Sequence, residues 1–252
     1  MTNYKTLQKA YEILSPYADK QRWEFHNNLV HLQYITQYIP KSATILDVGC
    51  GIGILDVALN LLGYRVSGVD KYVFEPNTSF SIDDIDGLKQ IWKEQGLSIL
   101  PKDILQDDIG QTYGAVVSIA TIEHQKDPKR FLQHLLAAVE PGGLIYLATP
   151  NISHLLNRIR FVFGRSPMQA HLPNFFSRGE NYEGHWREYT LDELATLFQQ
   201  LDMKVFFKHN VQSMKPRFKL VSIRSWYVSV LRLLSVFVPG ARDTNIIIGK
   251  KR

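Results

Sequence analysis

The stretch Asp47-Val48-Gly49-Cys50-Gly51-Ile52-Gly53 constrains this 252-residue chain more than any other. It stands between a short apolar run, Thr44–Val48, and an apolar helical pattern, Ile54–Leu62, that stops at Gly63. Glycines between a strand and a helix let the backbone turn tightly and come close to a ligand. The helix that follows offers unpaired N–H groups and a partial positive charge at its start. A second strand candidate, Arg65–Asp70, ends on an acid suited to accept hydrogen bonds from ribose hydroxyls. A dinucleotide fingerprint would need a glycine where Ile54 stands, which disfavours a nicotinamide oxidoreductase. Asp47, at the head of the loop, suits a cationic ligand such as an amino acid's ammonium better than a pyrophosphate.

Residues 5–40 alternate apolar and polar positions at helical spacing up to Pro40 and read as one or two helices. Further helices are predicted over Asp84–Gln95, Pro128–Val139 and Leu191–Leu201, the last opened by a capping box of Thr190 and Glu193. Strands are predicted over Ser98–Leu100, Ala115–Ala120, Leu144–Thr149, Lys204–Lys208 and Asn245–Gly249. Apolar strands alternating with helices predict an α/β fold whose parallel sheet is covered on both faces. With 45% hydrophobic residues, a chain of this length buries a large core without disulfides or structural metals. Its one cysteine, Cys50, excludes an intramolecular disulfide and suits a reducing, cytoplasmic setting. No apolar run follows a basic start at the N-terminus, so no signal peptide is expected. The nearest approach to a membrane span, Trp226–Val238, is too short and carries Arg232.

Together these segments resemble the class I S-adenosylmethionine-dependent methyltransferases, in their ubiquinone-biosynthesis-like small-molecule O-methyltransferase branch. The family's glycine motif E/D-x-G-x-G-x-G is matched by Asp47–Gly53, and its acid after the second strand by Asp70. The acid after the third strand is matched by Asp103 in LPKDIL, and the fourth-strand ending by AVVSIATIEH. The P-G-G turn with its fifth strand is matched by LLAAVEPGGLIYLATPN, and the H-x-R-E-Y-T-x-x-E-L segment by HWREYTLDELATLF. The motifs run in order over Thr44–Lys208. The resemblance implies a Rossmann-like fold with a seven-stranded, mostly parallel sheet and an antiparallel last strand. It implies one domain over residues 1–252, with a helical extension at 1–43, a cofactor-binding half at 44–150 and substrate-side cap insertions at 151–185 and 210–243. It implies S-adenosyl-L-methionine as cofactor. Asp47 would organise the loop near the methionine ammonium, and Gly49 and Gly51 would admit the methionine and ribose. Asp70, with Lys71 beside it, would hold the ribose hydroxyls. Asp103 would take the adenine amine, Ile104 would pack on the ring, and Ile119 and Ala120 would lie near the sulfonium.

Methyl transfer from a sulfonium is an in-line displacement that needs positioning and exclusion of water, and an oxygen acceptor gains from a general base. His124, just after the fourth strand, and His185, in the loop before the capped helix, are the candidate bases. Some relatives carry E-x-x-E-H and bind a divalent metal there. Here Ala120 occupies the first position, leaving Glu123 and His124, so no metal is expected. The stretch Ser118-Ile119-Ala120-Thr121 is not D/N-P-P-Y/F, which disfavours methylation of adenine or glutamine amino groups. The position of Cys50 in the glycine loop disfavours a cytosine-C5 nucleophile. The competing functions are a non-catalytic S-adenosylmethionine-binding module and a nucleic-acid methyltransferase.

From Met203 to Arg242 there is no acid, while eight Lys and Arg outweigh the net charge of +5 carried by the whole chain. A second acid-free stretch, Pro141–Gly179, carries Arg158, Arg160, Arg165 and Arg178. Both overlap the expected cap insertions and predict a surface that faces anions. Aliphatic rather than aromatic residues interleave the charges, which argues against nucleic acid as partner. Within Ile223–Val238, Ser225, Ser229, Arg232 and Ser235 form one narrow polar stripe on an apolar helix. Such a helix serves as a lid or lies on a membrane surface, and a lid is the simpler explanation of so narrow a stripe. The expected acceptor is a small or lipid-linked, anionic molecule, with residues 210–242 covering it or making a peripheral membrane contact.

Overall fold

The computed structural model describes residues 2–15, 17–72, 82–215 and 223–252. The chain forms two units, residues 1–119, 130–146 and 250–252 in one, and residues 120–129 and 147–249 in the other.

The first unit is organised on β1 (Thr44–Val48), whose Ile45 and Leu46 are fully buried. β1 pairs in parallel with β2 (Arg65–Asp70) on one side, Ile45 opposite Val66. On the other side it pairs with β4 (Tyr113–Ile119), Ile45 opposite Ala115. β3 (Ser98–Pro101) adds in parallel to β2. Helix α3 (Ile54–Leu61) is buried from Ile54 through Leu59, so it is a core element rather than an amphipathic cover. Helices α1 (Asn3–Ile13), α2 (Phe25–Tyr38), α4 (Ile82–Glu94) and α5 (Pro128–Ala138) are the other α-helices described in this part of the chain. The α1 start is capped by Thr2, whose hydroxyl accepts from the Lys5 amide, and α2 ends just ahead of Pro40. Buried His31 of α2 reaches the hydroxyl of Tyr146 through Nδ1 at 2.8 Å. Tyr146 lies on β5 (Val139–Pro150), which begins five residues ahead of the predicted Leu144. The Pro-Gly-Gly sequence reads as a turn, yet its backbone is already paired, with the Gly142 N–H donating to the Lys251 carbonyl.

The second unit takes up β5 from Leu147 and holds α6 (Leu155–Val162), α7 (Leu172–Arg178), α8 (Leu191–Gln200), β6 (Lys204–Val211), α9 (Ile223–Leu234) and most of β7 (Thr244–Lys250). The predicted capping box is present, with Thr190 and Glu193 exchanging side-chain and backbone hydrogen bonds at the start of α8. Seven strands run in the order β3-β2-β1-β4-β5-β7-β6. β7 is the antiparallel member. The Lys251 N–H donates to Gly143 at one end and the Asn151 N–H donates to Asp243 at the other, so numbers rise on β5 as they fall on β7. The expected mostly parallel α/β sheet with an antiparallel last strand is therefore what forms.

Two residues of the predicted polar stripe turn inward, contrary to a helix whose apolar face is covered; the side chain of Ser225 lies outside those described. Ser229 and Ser235 are buried, and the Ser235 hydroxyl lies 2.6 Å from the Arg232 carbonyl and 2.9 Å from Gln212 Oε1, either of which can accept its one proton. Local bonds of this kind satisfy buried hydroxyls without water. The apolar residues Trp226, Tyr227, Val230, Leu233 and Leu234 are exposed instead. Among the described residues no helix is long and apolar enough to cross a membrane.

Candidate active site

In the first unit, the loop between β1 and α3 is held by the end of β2. The Gly49 N–H donates to the Val69 carbonyl at 2.8 Å. The Asp70 carboxylate accepts the Gly51 N–H at 2.9 Å through Oδ2 and the Tyr72 N–H at 3.0 Å through Oδ1. Each carboxylate oxygen keeps a further lone pair for a ligand hydroxyl. Gly51 and Gly53 sit at φ +56° and +80°, conformations that L side chains rarely adopt. A Cβ at Gly53 would meet Ile99 at 2.8 Å, whereas one at Gly51 would meet nothing within 4 Å. Gly53 is thus needed for packing, and Gly51 borders open space into which a ligand can approach.

Acids gather under this loop. Asp47 is buried, and burial followed by the charge of Asp70 pushes its carboxyl up to about 7. Asp56 of α3 is fully buried with neither carboxylate oxygen hydrogen-bonded, and burial, then the charge of Asp47, pushes it well above the carboxylate range. Burial, then Asp56, likewise raises the Cys50 thiol, so Cys50 stays a neutral, small side chain. A cationic ligand would relieve this concentration of acid, which fits the expected ammonium or sulfonium.

Other expected contacts are arranged differently. Lys71 is exposed. The Asp103 carboxylate folds onto its own turn, accepting the Leu105 N–H at 2.9 Å and the Gln106 amide at 3.1 Å, and Ile104 beside it is buried. Ile119 ends β4, and Ala120 follows it at φ +53°, an exposed non-glycine residue in the left-handed region. The sequence reading missed Tyr72 and Trp92. Tyr72 donates its hydroxyl to the Gly51 carbonyl at 2.8 Å and packs on Trp92 with ring centroids 5.8 Å apart. Trp92 in turn donates to the Ile52 carbonyl at 3.1 Å. No spacing rule marks an aromatic two residues after the acid of β2.

The second unit brings both candidate bases together. The rings of His124 and His185 lie edge to face with centroids 4.8 Å apart. His124 Nδ1 meets the Glu183 carbonyl at 2.8 Å. A carbonyl only accepts, so Nδ1 carries the proton and the basic lone pair is on Nε2. Burial lowers the His124 pKa, with the Glu183 carbonyl opposing it. His185 Nδ1 donates to Glu188 Oε1 at 2.9 Å. Burial lowers this ring's pKa, but the Glu188 bond and the charges of Glu123 and Glu188 outweigh that and leave it raised. Glu123 is fully buried, with Thr149 donating to Oε2 at 2.8 Å and Oε1 without a partner. Burial pushes its carboxyl up. His171, at the start of α7, stacks on His185 with centroids 4.8 Å apart. Glu188 lay within the H-x-R-E-Y-T segment, and its spacing of three from His185 was a usable signal.

The sequence pattern of the methyltransferase-domain family matches residues 21–206. The ubiquinone biosynthesis O-methyltransferase of Coxiella burnetii is 34% identical over 125 residues, 49% of this chain and 51% of that protein. The mitochondrial ubiquinone biosynthesis O-methyltransferase of Dictyostelium discoideum is 30% identical over 159 residues, 58% of this chain and 49% of that one. This chain spans about half the length of the curated relatives it matches. Among solved structures, a cyclopropane-fatty-acyl-phospholipid synthase-like protein from Lactobacillus casei superposes with a TM-score of 0.62 at 14% identity, over 98% of this chain and 99% of that one.

Proposed function

The chain belongs to the methyltransferase-domain family, and from that premise we propose that it transfers methyl from S-adenosylmethionine to an oxygen of a small or lipid-linked acceptor. The observation that carries the reading is the Asp70 carboxylate fastened to the glycine loop through the Gly51 N–H, beside buried Asp47. That arrangement supports Asp70 as the group for the ribose hydroxyls, Gly49 and Gly51 as the close approach, and Asp47 as the counter-charge to the ammonium. Asp103 and Ile104 are read as the adenine contacts, and Ile119 and Ala120 as neighbours of the reacting centre. The bound cofactor supplies an electrophilic methyl on a sulfonium. His124 Nε2 takes the proton that the acceptor oxygen gives up, and its neutral ring suits that task. His185, fixed by Glu188, orients the His124 ring against which its own lies.

The acceptor's lipid-linked, anionic character is supported by the second unit. Phe161 and Val162 at the end of α6 are 69% and 82% exposed, and Phe237 just past α9 is 83% exposed. Exposed apolar side chains on acid-free stretches that also carry Arg165, Arg232 and Arg242 suit peripheral contact with an anionic bilayer through residues 210–242 and the end of α6. Of the basic residues expected there, Arg217 and Lys219 lie outside the described residues.

Isothermal titration with S-adenosylhomocysteine and with NAD tests the cofactor. Tight binding of the former alone is expected, weakened about 10- to 100-fold in Asp70→Ala. In His124→Ala, turnover is expected to fall on the order of 100-fold with cofactor affinity nearly intact. Folded protein that ignores S-adenosylhomocysteine overturns the reading. Sedimentation with anionic liposomes tests the surface. The chain is expected to pellet at low salt, less at high salt, and less with Phe161→Ser and Phe237→Ser.

A further inference from the structure

His171, His185 and Glu188 converge in the second unit from two stretches of chain, His171 from the start of α7 and the other two from the segment before α8. We propose that these three side chains bind a divalent transition-metal ion of the zinc class. Their donor atoms all lie within 4.8 Å of one another. Glu188 Oε1 is 2.9 Å from His185 Nδ1 and 3.9 Å from His171 Nε2. A tetrahedral ion with bonds of about 2.0–2.1 Å holds its donors roughly 3.3 Å apart, so small side-chain rotations close the set.

The donor chemistry selects the ion. Two imidazoles with one carboxylate suit zinc and its neighbours, whereas magnesium and calcium ask for oxygen ligands. Three protein donors leave a position for water or an acceptor, as in zinc sites that do chemistry. The side chains of His171, His185 and Glu188 are 34%, 23% and 11% exposed, so the site is anchored in the unit and open on one side.

A second observation points the same way. Glu123 Oε1 is buried without a partner, and the Glu123 and His124 donor atoms also lie within 4.8 Å of that of His185. A fully buried carboxylate oxygen left unpaired is costly unless a cation is near. The buried Glu123 carboxyl lies beside His185 and would be compensated by a cation held there. The set differs from the E-x-x-E-H motif, which Ala120 interrupts. His171 and Glu188 join His185 from outside that motif.

The test uses the full chain stripped with a chelator and titrated with Co2+, whose visible absorption reports a nitrogen–oxygen site. One Co2+ per chain is expected, displaced by Zn2+. Affinity should fall at least tenfold in His171→Ala and in Glu188→Gln and stay unchanged in His134→Ala, a histidine of α5. His171 is a third exposed, so its alanine variant is the decisive one. S-adenosylhomocysteine titration of the same proteins reads the glycine loop separately, so loss of metal and failure of the cofactor reading are told apart. The proposal is overturned if the wild-type chain shows no saturable spectrum, or if His171→Ala and Glu188→Gln bind as the wild type does. It is also overturned if His124→Ala abolishes the spectrum while His171→Ala leaves it.

Discussion

The hydroxyl of Tyr72 donates to the carbonyl of Gly51 at 2.8 Å, closing over the glycine loop from the residue pair that follows β2. The same tyrosine gives its amide to Asp70, so one residue fixes both the loop and the acid. Tyr72→Phe removes only the hydroxyl. The lost bond is worth about 1 kcal/mol, so the S-adenosylhomocysteine dissociation constant should rise about fivefold. Calorimetric titration at one temperature checks this, and an unchanged constant would show that the loop keeps its shape without the tyrosine.

Gly68 of β2 lies where a side chain has no room. A Cβ there would meet Cys50 Sγ at 2.8 Å and Asp56 Oδ1 and Ile99 Cγ1 at 3.1 Å each. Gly68→Ala is therefore expected to destabilise the chain by about 1–3 kcal/mol through overpacking under the loop. Urea unfolding followed by circular dichroism measures it.

His31 makes part of the stability depend on pH. Its burial lowers its pKa from 6.5 to about 4 in the folded chain. Below pH 6.5 the unfolded chain binds a proton that the folded chain refuses. This contribution is full above pH 6.5 and is lost as pH falls to about 4, on the order of 3 kcal/mol in all. Denaturant midpoints compared at about pH 7 and about pH 5 should fall with acid in the wild type. The fall should be smaller in His31→Leu, although that variant is weaker throughout because Tyr146 loses its partner.

Sequence patterns located the cofactor half well because its signals are local. β1 and β2 have the predicted bounds, each an apolar run followed by a glycine or an acid at a fixed place. Asp47, Gly51 and Asp70 meet around one loop because parallel pairing of β1 with β2 brings their ends side by side. The second unit was less legible for a physical reason. His171 and His185 are fourteen residues apart with α7 between them, and only tertiary packing stacks their rings. Likewise, hydrophobic periodicity located the helix at Ile223 but not which side would be covered, because serines that bond locally are as content inside as out.

The register of β1 carries a consequence for the order in which the chain assembles. Gly51 and Asp70 are separated by 19 residues, whereas Ser118 and the Val48 carbonyl it bonds are separated by 70. Loop-closure entropy makes the longer connection costlier by about 1 kcal/mol. The β1–β2 pair and its glycine loop can therefore assemble during synthesis before β4 has emerged, and β4 then closes onto a ready edge. A nascent chain paused after Leu100 should already protect the β1 amides that face β2 from hydrogen exchange, while the amides that await β4 still exchange freely.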